Sequence, residues 1–304
     1  MYDVISFGAA TVDVIVKSEA FIQKENFLSL PCSSKNEVSQ GLICSGGGAT
    51  NSSVTFSRQG LTSACVSLVG SDLLANYITA DLAKEHVTNL LATDTNPTDY
   101  SVILVGADGG RSILTNRGKS RLEEDHLKWE DYRRASWFYV TSLEGNMDLL
   151  EKLIGFAVES NIKVSLNPGS RELQKLSQLR PLFKYVDFLQ FNQTESQVAT
   201  GCQVNTDRFW STLENFGTSM VAVTDGRNGA YILHSGQKYY SPIKNTTPVE
   251  ETGAGDAFGS AFVSGLIHGL PPQDALYWGI KNSASVVSFM GAKAGILTFD
   301  QISK

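Results

Sequence analysis

The chain has 304 residues, of which 42% are hydrophobic and 18% charged, so it accommodates one large α/β domain with an appendage or two unequal cores. Its net charge of −6 argues against a nucleic-acid partner, because binding phosphate along a backbone requires a basic surface. The four cysteines are few and widely spaced, which indicates reduced thiols rather than a metal site or a disulfide framework.

The N-terminal stretch MYDVISFGAATVDVIV lacks the charged region and cleavage site of a signal peptide. The apolar runs are also too short to span a membrane. Together with the cysteine pattern, these features predict a cytoplasmic protein with no membrane partner.

Short apolar runs recur along the chain and predict buried strands. In chain order they are DVISFGA from 3, ACVSLVG from 64, SWFYVTS from 136, KVSLNPG from 163, DFLQFN from 187 and MVAVTDG from 220. Segments of helical length lie between the later runs, for example MDLLEKLIGFAVESN from 147 and RFWSTLENFG from 208. This alternation predicts an α/β fold with a doubly wound, mostly parallel sheet and helices on both faces. Ligands of such sheets bind beyond the carboxyl ends of the strands.

Two regions contain strand patterns with no helix between them. Residues 14–43 include VIVKSEAF and SQGLICS, and residues 100–117 read YSVILVGADGGRSILTNR, which alternates about a Gly-Gly turn as a hairpin does. We expect both regions to form a small β-sheet lid on a single domain that spans residues 1–304. An exposed lid sheet is also able to pair with its copy, which predicts a possible homodimer through the lid.

The stretch ETGAGDAFGSAFVSGL, residues 251–266, sets one carboxylate among small residues. Gly253, Ala254 and Gly255 let the backbone approach a ligand closely, and the apolar spacing that follows predicts a helix starting here. Free amides at a helix N-terminus favour phosphate or a developing negative charge. Asp256 is therefore either the N-cap of this helix or a base placed to take a proton.

A second glycine-rich stretch, SGGGATNSS, occupies residues 45–53. A dinucleotide fingerprint would require glycine where Asn51 stands, so a Rossmann cofactor site is disfavoured. The Asn51 amide offers a donor and an acceptor to a hydroxyl-rich ligand. A plain glycine turn before a helix is the alternative.

Two further motifs follow predicted strands. FNQTES, residues 191–196, places Asn192 and Glu195 three apart, as in a helix cap or in a site that holds waters around a magnesium ion. VTDGRNGAY, residues 223–231, reads as two strands around a tight glycine turn. The four histidines are scattered and no GxSxG is present, so neither a zinc site nor a hydrolase triad is supported.

Taken together and in this order, the four motifs resemble those of the ribokinase family of carbohydrate and nucleoside kinases, also called the phosphofructokinase B type. EETGAGDAFGSAFVSGL is similar to the C-terminal signature of the family, and GGGATN to its N-terminal signature. FNQTES resembles the Asn-x-x-Glu motif, and VTDGRNG resembles the nucleotide-binding turn. The resemblance covers nearly the whole chain.

The resemblance implies ATP-dependent phosphorylation of a hydroxymethyl group of a sugar or sugar acid. The amides of Gly253, Ala254 and Gly255 would form an anion hole, and Asp256 would accept the hydroxyl proton. A magnesium ion would bridge the phosphates, with its water shell held by Asn192 and Glu195. The implied substrate-binding residues are Asp13, Gly46, Gly47, Asn51 and Arg117. The implied nucleotide-binding residues are Thr224, Asp225, Gly226, Gly229 and Asn282.

One departure from the family pattern concerns a monovalent cation. Many members carry Asp-Thr-Thr before the Gly-Ala-Gly-Asp turn, whereas this chain has Glu250, Glu251 and Thr252. A longer carboxylate does not hold potassium in the same place, so we expect weak or absent potassium activation.

Several alternatives remain at this stage. A nucleoside kinase of the same fold would need a shelf for the base, for which Phe27 and Leu28 are candidates. A non-catalytic ligand-binding regulator is the alternative from another class, although binding alone does not require a base. Arg117 either reaches the substrate or is a solvated lid charge. A phosphosugar is disfavoured, because few Lys or Arg residues lie near the sugar-binding segments.

Overall fold

The computed structural model describes residues 1–24, 27–106, 111–118, 121–204, 206–243 and 249–304. The strands are β1 Tyr2–Phe7, β2 Thr11–Lys17, β3 Ile22–Lys24, β4 Phe27–Ser29, β5 Gln40–Gly46, β6 Ser63–Val66, β7 Leu68–Val69, β8 Thr88–Asn89, β9 Ala92–Thr93, β10 Tyr100–Val105, β11 Arg111–Asn116, β12 Ala135–Val140, β13 Lys163–Leu166, β14 Phe188–Asn192, β15 Met220–Thr224, β16 Ala230–His234 and β17 Gln237–Ser241. The α-helices are α1 Gly48–Arg58, α2 Leu73–Lys84, α3 Trp129–Tyr132, α4 Met147–Glu159, α5 Ser170–Leu173, α6 Leu176–Leu179, α7 Gln193–Thr200, α8 Asp207–Glu214, α9 Ala254–Ile267, α10 Pro272–Val286 and α11 Phe299–Ile302. Short 3-10 helices cover Glu124–His126, Arg180–Tyr185 and Gly226–Asn228.

The main sheet has nine strands in the order β17-β16-β15-β14-β13-β12-β1-β6-β8. The strands from β15 to β8 pair in parallel, whereas β16 and β17 add an antiparallel hairpin at one edge. All six apolar runs predicted as buried strands contribute a strand to this sheet. A mostly parallel sheet needs cover on both faces, because each strand exposes apolar side chains on either side.

Helices cover both faces of the main sheet, as the alternation of strands and helices predicts. Val4 of β1 points into a core with Phe56 of α1 and with Phe262 of α9. Ile5, the next residue, points into the opposite core, which includes Leu150 of α4. This change of face from one residue to the next is the period of a β-strand.

A second, smaller sheet has the order β11-β10-β2-β5. β10 is parallel to β2, while its pairing with β11 and the pairing of β2 with β5 are antiparallel. The predicted hairpin forms β10 and β11, although its Gly-Gly turn lies outside the described residues. β2 begins at Thr11, three residues before the predicted segment, because residues 8–10 suffice to connect it to β1.

The two sheets meet at the carboxyl ends of the parallel strands. β5 of the small sheet runs directly into α1, so the glycines at 46–48 form the junction between the sheets. Among the described residues, none of the helices combines the length and the apolar character that a membrane span requires.

Candidate active site

A cavity of about 360 Å³ lies between the small sheet and the carboxyl ends of the main strands. The small sheet contributes side chains from three strands, including Asp13, Ser101 and Thr115. The main domain contributes residues that follow β12 and β13 and the first turns of three helices. Of the predicted site residues, the cavity lining includes Asp13, Gly47, Asn51, Arg117, Glu195, Gly253 and Asp256. The structure therefore brings together residues that lie more than 240 positions apart.

Asp256 is not the N-cap of its helix. The N-cap of α9 is Gly253, and Asp256 is the third residue of the helix, with no side-chain capping hydrogen bond at this terminus. Oδ2 of Asp256 instead accepts a hydrogen bond from Nδ2 of Asn51 at 2.9 Å. Burial raises the pKa of Asp256, and the Asn51 hydrogen bond and the charge of Lys293 partly offset that increase. The capping interpretation of this residue is therefore wrong.

The backbone that leads into α9 strongly favours glycine at position 253. Gly253 has φ 77°, and a Cβ there would lie 2.4 Å from Cβ of Ala292. Nε2 of Gln190, in β14 of the main sheet, donates to the carbonyl of Gly255 at 2.9 Å and so holds the first turn of α9 against the sheet. The amide of Ala254 makes a long 3.4 Å contact with the carbonyl of Glu251. First-turn amides have no acceptor within their own helix, so this terminus is suited to an anion.

Near Asp256 and Thr252, the cavity is lined by buried polar atoms that have no hydrogen-bond partner in the protein. Asn51 is 4% exposed, and its Oδ1 has no hydrogen-bond partner, as is also true of Oγ1 of Thr252. Oδ1 of Asp13 accepts from the hydroxyl of Thr11 at 3.4 Å, and burial raises the pKa of Asp13 against the lowering effect of Ser101. Buried acceptors of this kind are normally satisfied, so they fit a ligand that donates hydroxyl groups.

Close packing explains a second glycine at this site. A Cβ on Gly46 would lie 2.0 Å from Oδ2 of Asp13, so any other residue would displace the carboxylate. Gly46 itself does not line the cavity but lets β5 pass directly behind Asp13.

Arg117 lines the cavity and is not a free lid charge. It forms an ion pair with Glu144, whose Oε2 also lies 3.0 Å from Nη1 of Arg171. Burial lowers the pKa of Arg117, and the positive charge of Arg171 lowers it further. The three side chains form a charged cluster at one end of the cavity.

Asn192 and Glu195 form the capping box that their spacing allows. The backbone amide of Asn192 donates to Oε2 of Glu195 at 2.8 Å, and the amide of Glu195 donates to Oδ1 of Asn192 at 2.9 Å. The cap also places Glu195 in the lining of the cavity, where burial raises its pKa. Within the described ranges, no group of three or more metal-ligating side chains is present. A single carboxylate nevertheless fits magnesium, which keeps several waters and takes few protein ligands.

None of the predicted nucleotide residues lines this cavity. Thr224 ends β15, and the turn that follows is closed by a 2.8 Å hydrogen bond from the amide of Asp225 to the carbonyl of Gly229. Asp225 lines a separate cavity of about 490 Å³ beside α7 and α8. Asn282 is fully buried, and its side chain bonds to the carbonyl of Ala257 and the amide of Leu297, each at 2.9 Å. The Asn282 side chain thus already makes hydrogen bonds to other parts of the protein.

Glu250 folds back into the protein instead of pointing into the cavity. It is 1% exposed, and its two carboxylate oxygens accept from the amides of Thr252 at 2.7 Å and Gly291 at 3.2 Å. The carboxylate therefore holds together two loops that pack behind the start of α9.

Several lining residues belong to none of the sequence motifs. Thr141 and Ser142 follow β12, Asn167 follows β13, and Asp99 precedes β10. For Thr141, Ser142 and Asn167 the signal was a polar residue at the carboxyl end of a predicted parallel strand, where ligands of such sheets bind. Asp99 carried no such signal, because it precedes a strand of the small sheet. Gln190, a polar residue inside an apolar strand, was a second signal of the same kind.

The profile of the pfkB family carbohydrate kinases matches residues 1–298. The chain belongs to this family. Like other pfkB-family kinases, it is an ATP-dependent phosphotransferase that acts on sugars or nucleosides. The ribokinase of Staphylococcus aureus (strain COL) is 23% identical to this kinase over 310 residues, which cover 99% of this chain and 98% of the relative.

Solved structures of similar kinases confirm the doubly wound α/β fold with its small sheet. Adenosine kinase from Sinorhizobium meliloti matches with a TM-score of 0.84 and 19% identity, covering 100% of this chain and 99% of the other. Arabidopsis thaliana ribokinase complexed with ribose and ATP matches with a TM-score of 0.80 and 19% identity, covering 99% and 97%. Kinases of sugars and of nucleosides share this fold, so the fold alone does not choose the acceptor of this pfkB-family kinase.

Proposed function

We propose that this kinase transfers the γ-phosphoryl group of ATP to a hydroxymethyl group of a sugar or sugar acid. The observation that carries the proposal is the Asp256 carboxylate, which Asn51 holds at the N-terminus of α9, facing a cavity with unpaired hydrogen-bond acceptors. A base beside an anion-binding helix terminus is the arrangement that phosphoryl transfer to an alcohol requires.

The transfer follows from this arrangement in one step. The acceptor hydroxyl gives its proton to Asp256 while its oxygen forms a bond to the γ-phosphorus. The bond from that phosphorus to the bridging oxygen breaks, and ADP leaves with the electron pair. The amides of residues 253–255 stabilise the charge on the transferring group. Glu195 and Asn192 would hold a magnesium ion through its waters, and the ion would neutralise phosphate charge.

The lining favours a sugar over a nucleoside. No aromatic side chain lines the cavity among the residues that the structure describes, and Phe27, the candidate shelf for a base, is 73% exposed and outside it. Asn51, Asp13 and Asn167 instead offer polar groups suited to hydroxyls. The nucleoside alternative rests on Ile103 and Ile113, which form an apolar patch on the small sheet.

Arg117 is the residue that would distinguish a sugar acid from a neutral sugar. Its guanidinium is the one cationic group in the described lining, and Glu144 already pairs with it. A carboxylate on the acceptor would have to compete with Glu144 for this guanidinium. A phosphosugar is disfavoured further, because several acidic side chains line the same cavity, including Asp13, Asp99 and Asp256.

The nucleotide is proposed to lie along Thr224, Asp225, Gly226 and Gly229, with Asn282 nearby. Arabidopsis thaliana ribokinase, a structural neighbour, is complexed with ATP. Because the Asn282 side chain already makes hydrogen bonds within the protein, it would help to position α10 and would not form a hydrogen bond with the nucleotide base.

The small sheet is proposed to act as a lid on a single kinase domain. It forms one wall of the cavity, and Arg111 of β11 lies 3.5 Å from Glu251 of the loop before α9. Its β11 edge is exposed along its length, with Leu114 60% exposed, which supports a homodimer through the lid. A cytoplasmic location is supported by the four free cysteines.

The direct test is ADP release from MgATP with separate panels of neutral sugars, sugar acids and nucleosides. We expect turnover with a sugar or a sugar acid and none above the acceptor-free rate with nucleosides. Turnover confined to nucleosides would favour the alternative acceptor. ATP binding by calorimetry without turnover on any panel would favour a ligand-binding regulator.

A further inference from the structure

We propose that Lys293 is a positioning residue of the kinase, whose buried ammonium group fixes the small sheet relative to the phosphate-binding loop and thereby sets acceptor binding. Lys293 belongs to none of the recognised motifs and lies outside the cavity lining. The inference rests on the proposed function, because it assigns a role within the same site.

The ammonium group is buried at the junction of three elements. Nζ of Lys293 donates to Oγ of Ser45 at the end of β5 and to Oδ2 of Asp81 in α2, the latter at 3.1 Å. Ser45 in turn donates to the same oxygen of Asp81. The Lys293 residue is 8% exposed, so its charge is almost fully removed from water. A charge that is this buried requires partners, and these two are supplied by different elements.

Ser45 is the critical partner, because it precedes the glycines that join the small sheet to the main domain. Gly46 packs against the carboxylate of Asp13, and α1 begins at Gly48. The hydrogen bond from Lys293 therefore holds β5 at the point where a rotation would move the small sheet over the cavity. An ammonium group with two oxygen partners fixes this point more strongly than a neutral side chain would.

The loop that carries Lys293 also contacts the phosphate-binding side of the site. Ala292 packs against Gly253, where a Cβ would lie 2.4 Å from the Ala292 Cβ, and the amide of Gly291 donates to Glu250 at 3.2 Å. On its other side Gly291 approaches Cys44 of β5, with 3.1 Å between a Cβ placed there and the sulfur. Residues 291–293 thus form a spacer between β5 and the start of α9.

The far end of α1 completes the connection. Nη1 of Arg58 donates to the carbonyls of Lys293 and Ile296 at 2.8 and 3.1 Å, while its other nitrogens bind Glu85. The same helix carries Asn51, which binds Asp256. A displacement of the spacer would therefore reach the base through α1 as well as through the loop before α9.

The Lys293 charge also acts on the carboxylates of the site. It lowers the pKa of Asp256 and of Asp13, against the larger effect of burial on each. Other charged or titratable groups near Asp256 and Asp13 in the described residues include Tyr139 beneath α9, Glu250 in the loop before α9 and, in the cavity lining, Asp99, Arg117, Glu144 and Glu195. Loss of the Lys293 charge is thus expected to move the acid limb of the rate profile to higher pH.

The test compares Lys293→Met with Lys281→Met. Lys281 also donates hydrogen bonds within the protein, but it lies on α10 and donates to the backbone carbonyls of Gln301 and Ile302. We expect Lys293→Met to lower kcat/KM for the acceptor by about 10- to 100-fold, the scale expected when a site is misplaced by about 1 Å. ATP affinity and the Lys281→Met control stay at the wild-type level. Lys293→Arg, which keeps the charge, recovers part of the loss.

A second variant separates the role of the charge from folding. Asp81→Asn combined with Lys293→Met leaves no unpaired buried charge, so it is expected to fold while keeping the acceptor defect and the shifted acid limb. Full recovery of acceptor kcat/KM and of the pH profile in the double variant would overturn the proposal. An equal loss of ATP and acceptor binding in Lys293→Met would also overturn it.

Hydrogen exchange supplies a readout that does not depend on activity. We expect faster exchange across residues 40–46 in Lys293→Met and in the double variant, with no change in Lys281→Met. Unchanged exchange across residues 40–46 would contradict the positioning role. An absence of turnover in the wild-type enzyme would contradict the proposed kinase function, while this exchange measurement would still decide the role of Lys293.

Discussion

Asn51 illustrates how one side chain serves two parts of the proposed reaction. Its Nδ2 donates to Asp256 at 2.9 Å, and its buried Oδ1 has no protein partner. The donated bond stabilises the charged form of Asp256, while the free oxygen is available to a hydroxyl of the acceptor. In the proposed reaction, the same amide would orient both the base and the hydroxyl from which the base takes a proton.

The pH dependence of kcat follows from the environment of Asp256. Burial raises its pKa above the ordinary Asp value of 3.8, and only the deprotonated carboxylate is able to accept a proton. We expect kcat to fall on the acid side as pH drops through this raised pKa. Asn51→Ala removes a hydrogen bond that lowers the pKa, so the acid limb moves to higher pH and kcat drops about tenfold or more. If the acid limb of the kcat profile lies at the same pH in Asn51→Ala as in the wild type, then Asn51 does not affect the pKa of the base.

Glu195 has a capping role and a proposed metal role, and two substitutions distinguish them. Glu195→Gln keeps an oxygen for the capping box but removes the charge, so we expect unchanged thermal stability and a higher magnesium concentration for half-maximal rate. Asn192→Ala removes the cap oxygen and costs about 1 kcal/mol of stability. Magnesium titrations and thermal melts measure the two effects, and a wild-type magnesium response in Glu195→Gln would leave only the cap.

At the level of elements, the start of α9 depends on the backbone of Gly253. We expect Gly253→Ala to destabilise the fold by about 1–3 kcal/mol, because the residue has φ 77° and its Cβ would collide with Ala292. Gly255→Ala is the matched control, since its nearest neighbour, Nε2 of Gln190, lies at an ordinary 3.7 Å. We expect the control to stay within about 0.5 kcal/mol of wild type in urea unfolding. Equal losses in both variants would show that strain at 253 is not the cause.

The sequence predicted the elements whose pattern is local. The six strand runs, the hairpin of β10 and β11 and the helix after Gly255 follow from periodicity and turn residues, and all are present. Contacts between distant segments carried no such signal. The Asn51 hydrogen bond to Asp256 joins residues 205 positions apart, and Lys293 meets Ser45 across 248 positions. Only the three-dimensional arrangement of α1, α9 and β5 brings these pairs together.

At the scale of the whole molecule, the two sheets enclose a cavity between them. The small sheet is held over the strand ends of the main sheet because its strand β5 leads directly into α1. The small sheet supplies Asp13, Arg117 directly follows its strand β11, and the strand ends of the main sheet supply Thr141 and Asn167. Seven of the predicted site residues line this cavity, whereas Gly46, Asn192, Ala254 and Gly255 do not. The motifs did not predict the ion pair of Arg117 with Glu144, since spacing carries no information on that contact.

The response to monovalent cations is another property of the assembled molecule. Both oxygens of Glu250 are occupied by the amides of Thr252 and Gly291, and the side chain is 1% exposed. We therefore expect replacement of sodium by potassium to leave kcat nearly unchanged. Parallel assays in sodium, potassium and a bulky organic cation measure this response. A several-fold increase in kcat with potassium would show that a cation site exists despite these contacts.

The proposed phosphoryl transfer is tested by comparing Asp256→Asn with the wild type, using the acceptor identified from the panels. ATP affinity is measured by calorimetry, and single-turnover formation of the phosphorylated acceptor is measured in the same buffer. We expect unchanged ATP affinity and a rate that is lower by about 10² or more, the usual contribution of a positioned base. A wild-type rate in Asp256→Asn would contradict this proposal, because the carboxylate would then have no part in the transfer.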